Sequence, residues 1–158
     1  MLFILTEAGQ KIGLGHLSRC SALYEEAKDR GINVRILVYG DYRDHGIFPK
    51  LEIEYINWLD NLFTKSLISK EDYVIIDSYL ASYDLLEIIS KLAKKVIYLD
   101  DYERIEYPDG IVISPHGLKN SQNKSSLQGP NYVIVRKPFR ENPIKTLRSE
   151  VNNVIVML

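Results

Sequence analysis

The sequence has little cysteine, no excess of either charge and no long apolar run. Its single cysteine, Cys20, has no partner for an internal disulfide, and no cysteine or histidine spacing resembles a zinc or iron–sulfur site. The 20 Lys and Arg nearly balance the 21 Asp and Glu, which excludes a field that would gather nucleic acid or anionic lipid. No window approaches the run of about 20 apolar residues that a membrane helix needs. We therefore expect a cytoplasmic protein that binds neither metal, nucleic acid nor membrane.

Short runs rich in β-branched residues predict strands along the 158-residue chain, whose length suits one domain. They lie at 2–6, 33–39, 51–56, 72–77, 94–100, 110–114 and 131–135. Most are continuously apolar, which suits the strands of a parallel sheet because these are buried on both faces.

Helical periodicity fills several of the gaps between these strands. Apolar residues recur at helical spacing in 16–30, 57–70 and 83–94, with Gly31 as the stop of the first helix and Ser82 as the cap of the last. The alternation predicts a Rossmann-like, doubly wound α/β domain with a mainly parallel sheet and helices on both faces. The polar segment 115–130 has no apolar period and predicts a surface loop.

The chain ends on one more apolar run. NNVIVML at 152–158 follows a basic, proline-containing connection. It either closes the edge of the sheet or begins a second domain. We assign residues 1–150 to the Rossmann-like domain and 151–158 to the start of the first strand of a C-terminal domain that the chain lacks.

Candidate site residues follow four of the predicted strands. Ligands of open α/β sheets bind outside the C-terminal ends of the strands, so these residues are expected to meet at one edge. In chain order they are Gly13, Leu14, Gly15, His16 and Arg19, then Asp77, Ser78 and Tyr79, then Asp100 and Asp101, and finally Ser114 and His116.

The glycines at 13 and 15 permit a sharp turn between strand and helix. Together with the free N–H groups and positive dipole end of the helix, such a turn suits a diphosphate or the sugar of a nucleotide sugar. Simple turn geometry is the alternative explanation. The stretch lacks the third glycine of a dinucleotide fingerprint and the Lys-Ser/Thr of a P-loop, so neither NAD nor ATP is favoured and no cofactor is expected.

The ionisable residues at this edge allow more than one interpretation. A positive helix end disfavours an imidazolium, so we expect His16 to have a lowered pKa and a neutral ring that serves as a general base; alternatively, it caps the helix. Arg19 either holds a phosphate or carboxylate or pairs with Asp77 or Asp100. The aspartates either cap the turns that follow them, orient an imidazole or bind a sugar hydroxyl.

Three motifs in order resemble one known family. IGLGHLSRC at 12–20, IIDSY at 75–79 and YLDD at 98–101 resemble the N-terminal domain of the UDP-sugar hydrolases of pseudaminic acid biosynthesis, which belong with the spore-coat polysaccharide synthesis proteins of the SpsG type. The resemblance covers the entire chain and half of a family member. It implies the N-terminal half of a GT-B-like architecture, in which two Rossmann-like domains face each other and the missing C-terminal domain binds most of the UDP.

The resemblance also implies a reaction. Family members release UDP from a UDP-linked 2,4-diacetamido-2,4,6-trideoxy hexose by attack of water, without a metal. The family's catalytic base matches His16, its glycine loop matches Gly13 and Gly15, and its D-x-Y segment beside the sugar matches Asp77 and Tyr79. One base without a second positioned carboxylate favours direct displacement over a covalent intermediate. The alternatives are a GT-B glycosyltransferase whose N-terminal domain holds the acceptor, and a catalytically silent sugar-binding module.

Overall fold

The computed structural model of the protein describes residues 1–43, 46–116, 125–141 and 154. Its elements are β1 (Leu2–Glu7), α1 (Gly15–Asp29), β2 (Val34–Tyr39), β3 (Ile53–Tyr55), α2 (Asn61–Leu67), β4 (Tyr73–Asp77), α3 (Tyr83–Leu92), β5 (Lys95–Leu99), β6 (Ile111–Ser114), β7 (Ser126–Gln128), a 3-10 turn (Pro130–Tyr132) and α4 (Lys137–Arg140). The predicted strand at 151–158 lies outside the described residues, apart from Val154.

All the strands join one parallel sheet in the order β3-β2-β1-β4-β5-β6-β7. The prediction of a Rossmann-like, doubly wound α/β fold is confirmed. β1 lies between β2 and β4, and the chain moves outward from it in both directions. The C-terminal ends of β1 and β4 therefore flank the point where the strand order reverses, which is where open α/β sheets bind their ligands.

The sheet separates two apolar layers because successive side chains of a strand point to opposite faces. In β1, Phe3 and Leu5 join the layer formed with α3, whereas Ile4 joins the layer formed with α1. α1 contributes Leu17, Cys20, Tyr24 and Ala27 to its layer, and α3 contributes Leu85, Leu86 and Ile89 to the other. Helices thus cover both faces, and the continuously apolar strands have the burial that their composition predicts.

Side-chain caps set where two of the helices begin. Ser82 accepts the backbone N–H of Leu85, so the predicted cap of α3 is confirmed. Asp60 accepts two N–H groups of the first turn of α2, and this helix spans only Asn61–Leu67 rather than 57–70. No helix in the described ranges is long and apolar enough to cross a membrane.

The sequence-based prediction was wrong at the last edge of the sheet. The strand beside β6 is Ser126–Gln128, inside the segment predicted as a loop, and 131–135 is not a strand. Pro130 instead opens a 3-10 turn, after which the chain crosses towards α1, where Ile134 packs against the layer around Leu17. A short edge strand buries little, so it is held by backbone hydrogen bonds and has no apolar signature. Residues 117–124 of the predicted loop lie outside the described ranges.

Candidate active site

Polar side chains from three neighbouring strands meet at the C-terminal edge of the sheet. Glu7 ends β1, Asp77 ends β4 and Asp101 follows β5, while His16 and Arg19 project from the first turns of α1. These five residues are connected by the contacts described below, at the point where the strand order reverses. The predicted convergence of the first three regions is therefore observed.

His16 forms the central contact of this group with Asp77. Its Nδ1 lies 2.7 Å from Oδ1 of Asp77, although the two residues are 61 positions apart in the chain. The aspartate is fully buried, and the histidine is only 9% exposed. An ionised carboxylate only accepts hydrogen bonds, so Nδ1 carries the proton that it donates to Asp77. The contact fixes the orientation of the ring and leaves Nε2 as its second reactive position.

Arg19 joins the same aspartate to a second carboxylate. Its Nε and one terminal nitrogen donate to the two oxygens of Asp77 at 2.8 and 2.7 Å, and its other terminal nitrogen donates to Asp101 at 2.6 Å. Of the two interpretations of Arg19, the structure shows the ion pair: Asp77, one of the two expected partners, is confirmed, and the second carboxylate is Asp101 rather than Asp100. The paired arrangement keeps Asp77 ionised and stationary behind the imidazole.

Glu7 occupies the other side of the histidine, and sequence reasoning missed it. One of its oxygens lies 3.8 Å from Nε2 of His16, which is beyond hydrogen-bonding distance. Its oxygens accept the hydroxyl of Ser78, the backbone N–H of Tyr79 at 2.8 Å and that of Leu80 at 3.3 Å. The buried carboxylate therefore ties the loop after β4 to the end of β1, and it places a negative charge beside the ring.

Two tyrosines lie over the entrance to the histidine. The ring of Tyr79 meets that of His16 edge-on, with centroids 4.5 Å apart, and Tyr102 lies beyond it at 6.3 Å from Tyr79. Tyr79 is 40% exposed and Tyr102 is 76% exposed, so their outer faces are open to a ligand. Aromatic faces of this kind pack well against the apolar side of a sugar ring.

The predicted direction of the His16 pKa was wrong. Burial lowers the pKa of the ring, but the hydrogen bond and charge of Asp77, with the charge of Glu7, outweigh this and raise the pKa of His16 above its ordinary value. The positive end of α1 tends to lower the pKa of His16, but its effect is smaller than that of two carboxylates in contact with or near the ring. His16 thus gains a proton more readily than a free histidine.

The pKa of Asp77 is shifted in the complementary direction. Burial tends to raise it, yet the hydrogen bonds and charges of His16 and Arg19 lower the pKa of Asp77 below its ordinary value. The carboxylate consequently stays charged at neutral pH. It can hold a neutral His16 in one tautomer and stabilise the imidazolium that forms when the ring takes up a proton.

The glycine turn has the geometry that its residues allow. Gly13 adopts a φ of +82°, which disfavours a side chain, and it exchanges backbone hydrogen bonds with Gly9. Leu14 is the N-cap of α1 and provides no side-chain cap, and Gly15 is the first helical residue. The start of α1 therefore carries exposed backbone at Gly13 and Gly15, next to His16.

The remaining predicted residues have separate roles. Asp100 accepts the backbone N–H groups of Tyr102 and Arg104, each at 2.9 Å, so this aspartate caps the turn after β5. Ser114 is buried at the end of β6 and His116 is exposed. Among the described residues, neither contacts the group around Asp77. The fourth predicted region does not join the site.

Glu7 could have been found from the same signal as Asp77, because each is an acidic residue that closes a buried apolar strand. The predicted first strand ended one residue short of it, at Thr6.

Within the described ranges, no group of three or more His, Cys, Asp or Glu side chains is arranged to hold a metal ion.

The fold and site define a Rossmann-like α/β domain with a buried histidine–aspartate pair at its switch point. No protein-family profile matches the chain. The chain is similar to the uncharacterized protein MJ1062 of Methanocaldococcus jannaschii, with 28% identity over 172 residues. That match covers 97% of this chain and 35% of the archaeal protein, so the chain spans about a third of the length of its relative.

Proposed function

We propose that this domain supplies the general base of a UDP-sugar hydrolase, as its resemblance to the pseudaminic acid and SpsG-type proteins implies. The substrate would be a UDP-linked 2,4-diacetamido-2,4,6-trideoxy hexose, and the products would be UDP and the free sugar. A reducing, cytoplasmic setting suits a chain whose one cysteine, Cys20, is free and buried.

The observation that carries the proposal is the contact between His16 and Asp77. Because Nδ1 donates to a buried carboxylate, the neutral ring has its lone pair on Nε2. The 3.8 Å separation from Glu7 leaves this lone pair unused by that carboxylate. A histidine held in one tautomer by an ionised aspartate is an arrangement that general bases use repeatedly.

The proposed step balances with water as the only co-reactant. Nε2 of His16 takes a proton from water as the water oxygen bonds to the anomeric carbon of the sugar. The bond from that carbon to the UDP oxygen breaks, and UDP leaves with the electron pair. Asp77 remains ionised throughout and stabilises the imidazolium that results.

The contacts of Glu7 support direct displacement. Its two oxygens are already engaged by the hydroxyl of Ser78 and the N–H groups of Tyr79 and Leu80, and the side chain is 1% exposed. A nucleophilic carboxylate needs a free oxygen that can reach the anomeric carbon. Glu7 is better suited to adjusting the pKa of His16 than to forming a glycosyl intermediate.

The rest of the substrate would be held by a second domain. We propose a GT-B-like architecture in which this domain faces a C-terminal nucleotide-binding domain that holds most of the UDP. A relative about three times as long as this chain is compatible with additional domains. In this domain the exposed turn at Gly13 and Gly15, with Tyr79, would contact the sugar and its diphosphate.

UDP release separates this proposal from its main alternative. The protein, with whatever natural sequence follows residue 158, is expected to release UDP from the diacetamido-trideoxy hexose donor in water alone, as measured by a coupled UDP assay. Release that begins only after a hydroxyl acceptor is added would replace the hydrolase with a glycosyltransferase. Binding of the donor without any release would favour a silent sugar-binding module.

The pH dependence of the reaction provides a second prediction. His16 acts as a base only when it is neutral, so kcat/KM should rise as the pH increases through its pKa, which lies above the ordinary value. Glu7→Gln removes one of the charges that raise this pKa, and the rising limb should move to lower pH.

Ser78→Ala is the matched control, because it removes a hydrogen bond to Glu7 but keeps the charge. Its rising limb should stay where it is in the wild type, even if kcat falls. If the rising limb of the pH profile stays at the wild-type pH in Glu7→Gln, then either Glu7 has only a structural role or the limb does not report the titration of His16.

A further inference from the structure

A cavity opens at the same edge of the sheet as the candidate active site, beside the ends of β2 and β3. It has a volume of about 550 Å³. Its lining comes from the loop after β1, from β2 and the loop that follows it, and from the end of β3 and the residues after it. These residues are Gln10, Lys11, Ile12, Val38, Tyr39, Gly40, Asp41, Arg43, Tyr55, Ile56 and Asn57. Neither His16 nor Asp77 belongs to this lining, so the cavity is distinct from the candidate active site.

The floor of the cavity is formed by apolar and aromatic side chains. Val38 and Tyr55 are paired neighbours on β2 and β3 and belong to the layer formed with α1, whereas Tyr39 and Ile56 follow them at the strand ends and belong to the layer formed with α3. All four are buried or half-buried. The volume lies within the range of small-molecule sites, and tyrosine rings of this kind offer an apolar surface to a ring-shaped ligand.

The rim of the cavity carries two cations. The guanidinium of Arg43 lies 4.6 Å from the centre of the Tyr55 ring, and one of its terminal nitrogens donates to the carbonyl of Tyr42 at 2.7 Å. These contacts hold the guanidinium at the mouth of the cavity. Neither Arg43 nor Lys11 forms an ion pair with any of the described residues.

The one carboxylate on the rim is used to hold the loop. Asp41 accepts the backbone N–H of Gln10 at 3.0 Å and so fixes the loop after β1 against the end of β2. Two positive side chains against one engaged negative side chain leave the cavity basic, in a chain whose overall net charge is −1. Arginine and lysine in this position attract phosphate or carboxylate groups.

We propose that this cavity binds a sugar-sized ring compound that carries an anionic group, either a phosphate or a carboxylate. The ring packs on Tyr55 at the end of β3, and the anion lies between Lys11 and Arg43. The amide of Asn57 on the rim hydrogen-bonds to the hydroxyls of the ring. The site rests on these residues alone and is independent of the hydrolase proposal.

Binding is tested by titrating the protein, labelled with nitrogen-15, and following its amide NMR spectrum. The probes are glucose 1-phosphate, glucuronate, uncharged glucose and inorganic phosphate. At least one charged sugar should shift the amides of Gln10, Lys11, Arg43 and Asn57, and it should bind at least about tenfold more tightly than glucose, because a charge-assisted hydrogen bond has that effect. The comparison of glucose 1-phosphate with glucuronate identifies the preferred anion.

Three outcomes would overturn the proposal. They are failure of both charged sugars to bind more tightly than glucose, inorganic phosphate binding as tightly as the better of the two charged sugars, and shifts that lie away from these amides. The first outcome would show that the anionic group does not contribute to binding. The second would show that the sugar ring does not contribute. The third would show that the ligand binds elsewhere.

Arg43→Met keeps an unbranched apolar stem but removes the guanidinium and its charge, so it should weaken binding of the charged sugar by about tenfold or more. Lys65→Met is the matched control, because Lys65 is an exposed lysine on α2 outside the cavity lining. It should bind as the wild type does. His16→Ala should also keep this affinity, so that a failure of the hydrolase proposal and a failure of this one remain distinguishable. Unchanged affinity in folded Arg43→Met would contradict the site.

Discussion

His16→Ala is expected to slow UDP release by about a hundredfold or more, which is the usual contribution of a positioned general base. The effect should appear in kcat, because the imidazole takes its proton in the transition state. Nδ1 of the ring is held at 2.7 Å from Asp77, which fixes the position of Nε2. The measurement is a comparison of UDP release by wild type and variant at saturating donor.

Two further measurements separate a base from a structural histidine. Added imidazole should restore part of the activity of His16→Ala, because the missing side chain leaves space beside Asp77. Glu25→Ala, on the same helix and outside the site, should retain activity within about twofold, since surface changes away from such features have small effects. If His16→Ala is folded and releases UDP at the wild-type rate, His16 is a structural residue and the proposed mechanism fails.

Asp77→Asn is expected to produce the largest loss of stability at the site, about 3 kcal/mol in the free energy of unfolding, because it leaves a partly buried charge with fewer partners. Arg19 donates two hydrogen bonds to this carboxylate, and its side chain is 17% exposed. Activity should fall by about a hundredfold or more as well, since an asparagine does not fix the same tautomer of His16. Urea unfolding and UDP release measure the two effects separately.

Asp101→Asn is the control for this stability effect. It removes only one contact of Arg19, between groups that are 17% and 16% exposed, and should cost less than Asp77→Asn because Arg19 keeps both of its hydrogen bonds to Asp77. Equal losses in the two variants would mean that Asp77 contributes no more to stability than Asp101 does.

The stability effect should also depend on pH. The folded-state pKa of Asp77 is lowered, so its contribution is present above its unfolded pKa and is lost as the pH falls through the folded value. Because Asp77 also raises the pKa of His16, the difference between wild type and Asp77→Asn should first grow as the pH falls through the folded-state pKa of His16, and then shrink in acid as Asp77 itself is protonated. A difference that does not shrink in acid would assign the stability to another group.

The central strands of the fold could be predicted from composition alone. β1, β2, β4, β5 and β6 lie within one or two residues of the apolar runs that predicted them, because a strand covered on both faces must be apolar along its length. The seventh strand could not be predicted in this way. Ser126–Gln128 lies at an edge and is held by backbone pairing, whereas the more apolar 131–135 crosses towards α1.

The candidate site, too, could be predicted from the sequence only in part. The rule that ligands bind at strand ends selected His16 and Asp77, but nothing in the sequence specifies that the two side chains touch across 61 positions. The sequence also could not predict that Arg19 pairs with Asp101 rather than Asp100, because the two aspartates are adjacent and the turn decides which one faces the site. The cavity at Lys11, Arg43 and Tyr55 combines three separate segments, none of which forms a motif.

The sequence by itself determined a parallel α/β sheet, the helix that presents His16 and the edge at which polar residues gather, because these depend on apolar periodicity and local turn chemistry. The tertiary structure alone decided the direction in which this site shifts the pKa of His16. The helix end that lowers the pKa of a histidine is local, whereas Asp77 and Glu7, which raise the pKa of His16, come to it from the ends of β4 and β1. Electrostatic interaction depends on distance in space, so contacts between distant segments outweighed the local signal that the sequence offered.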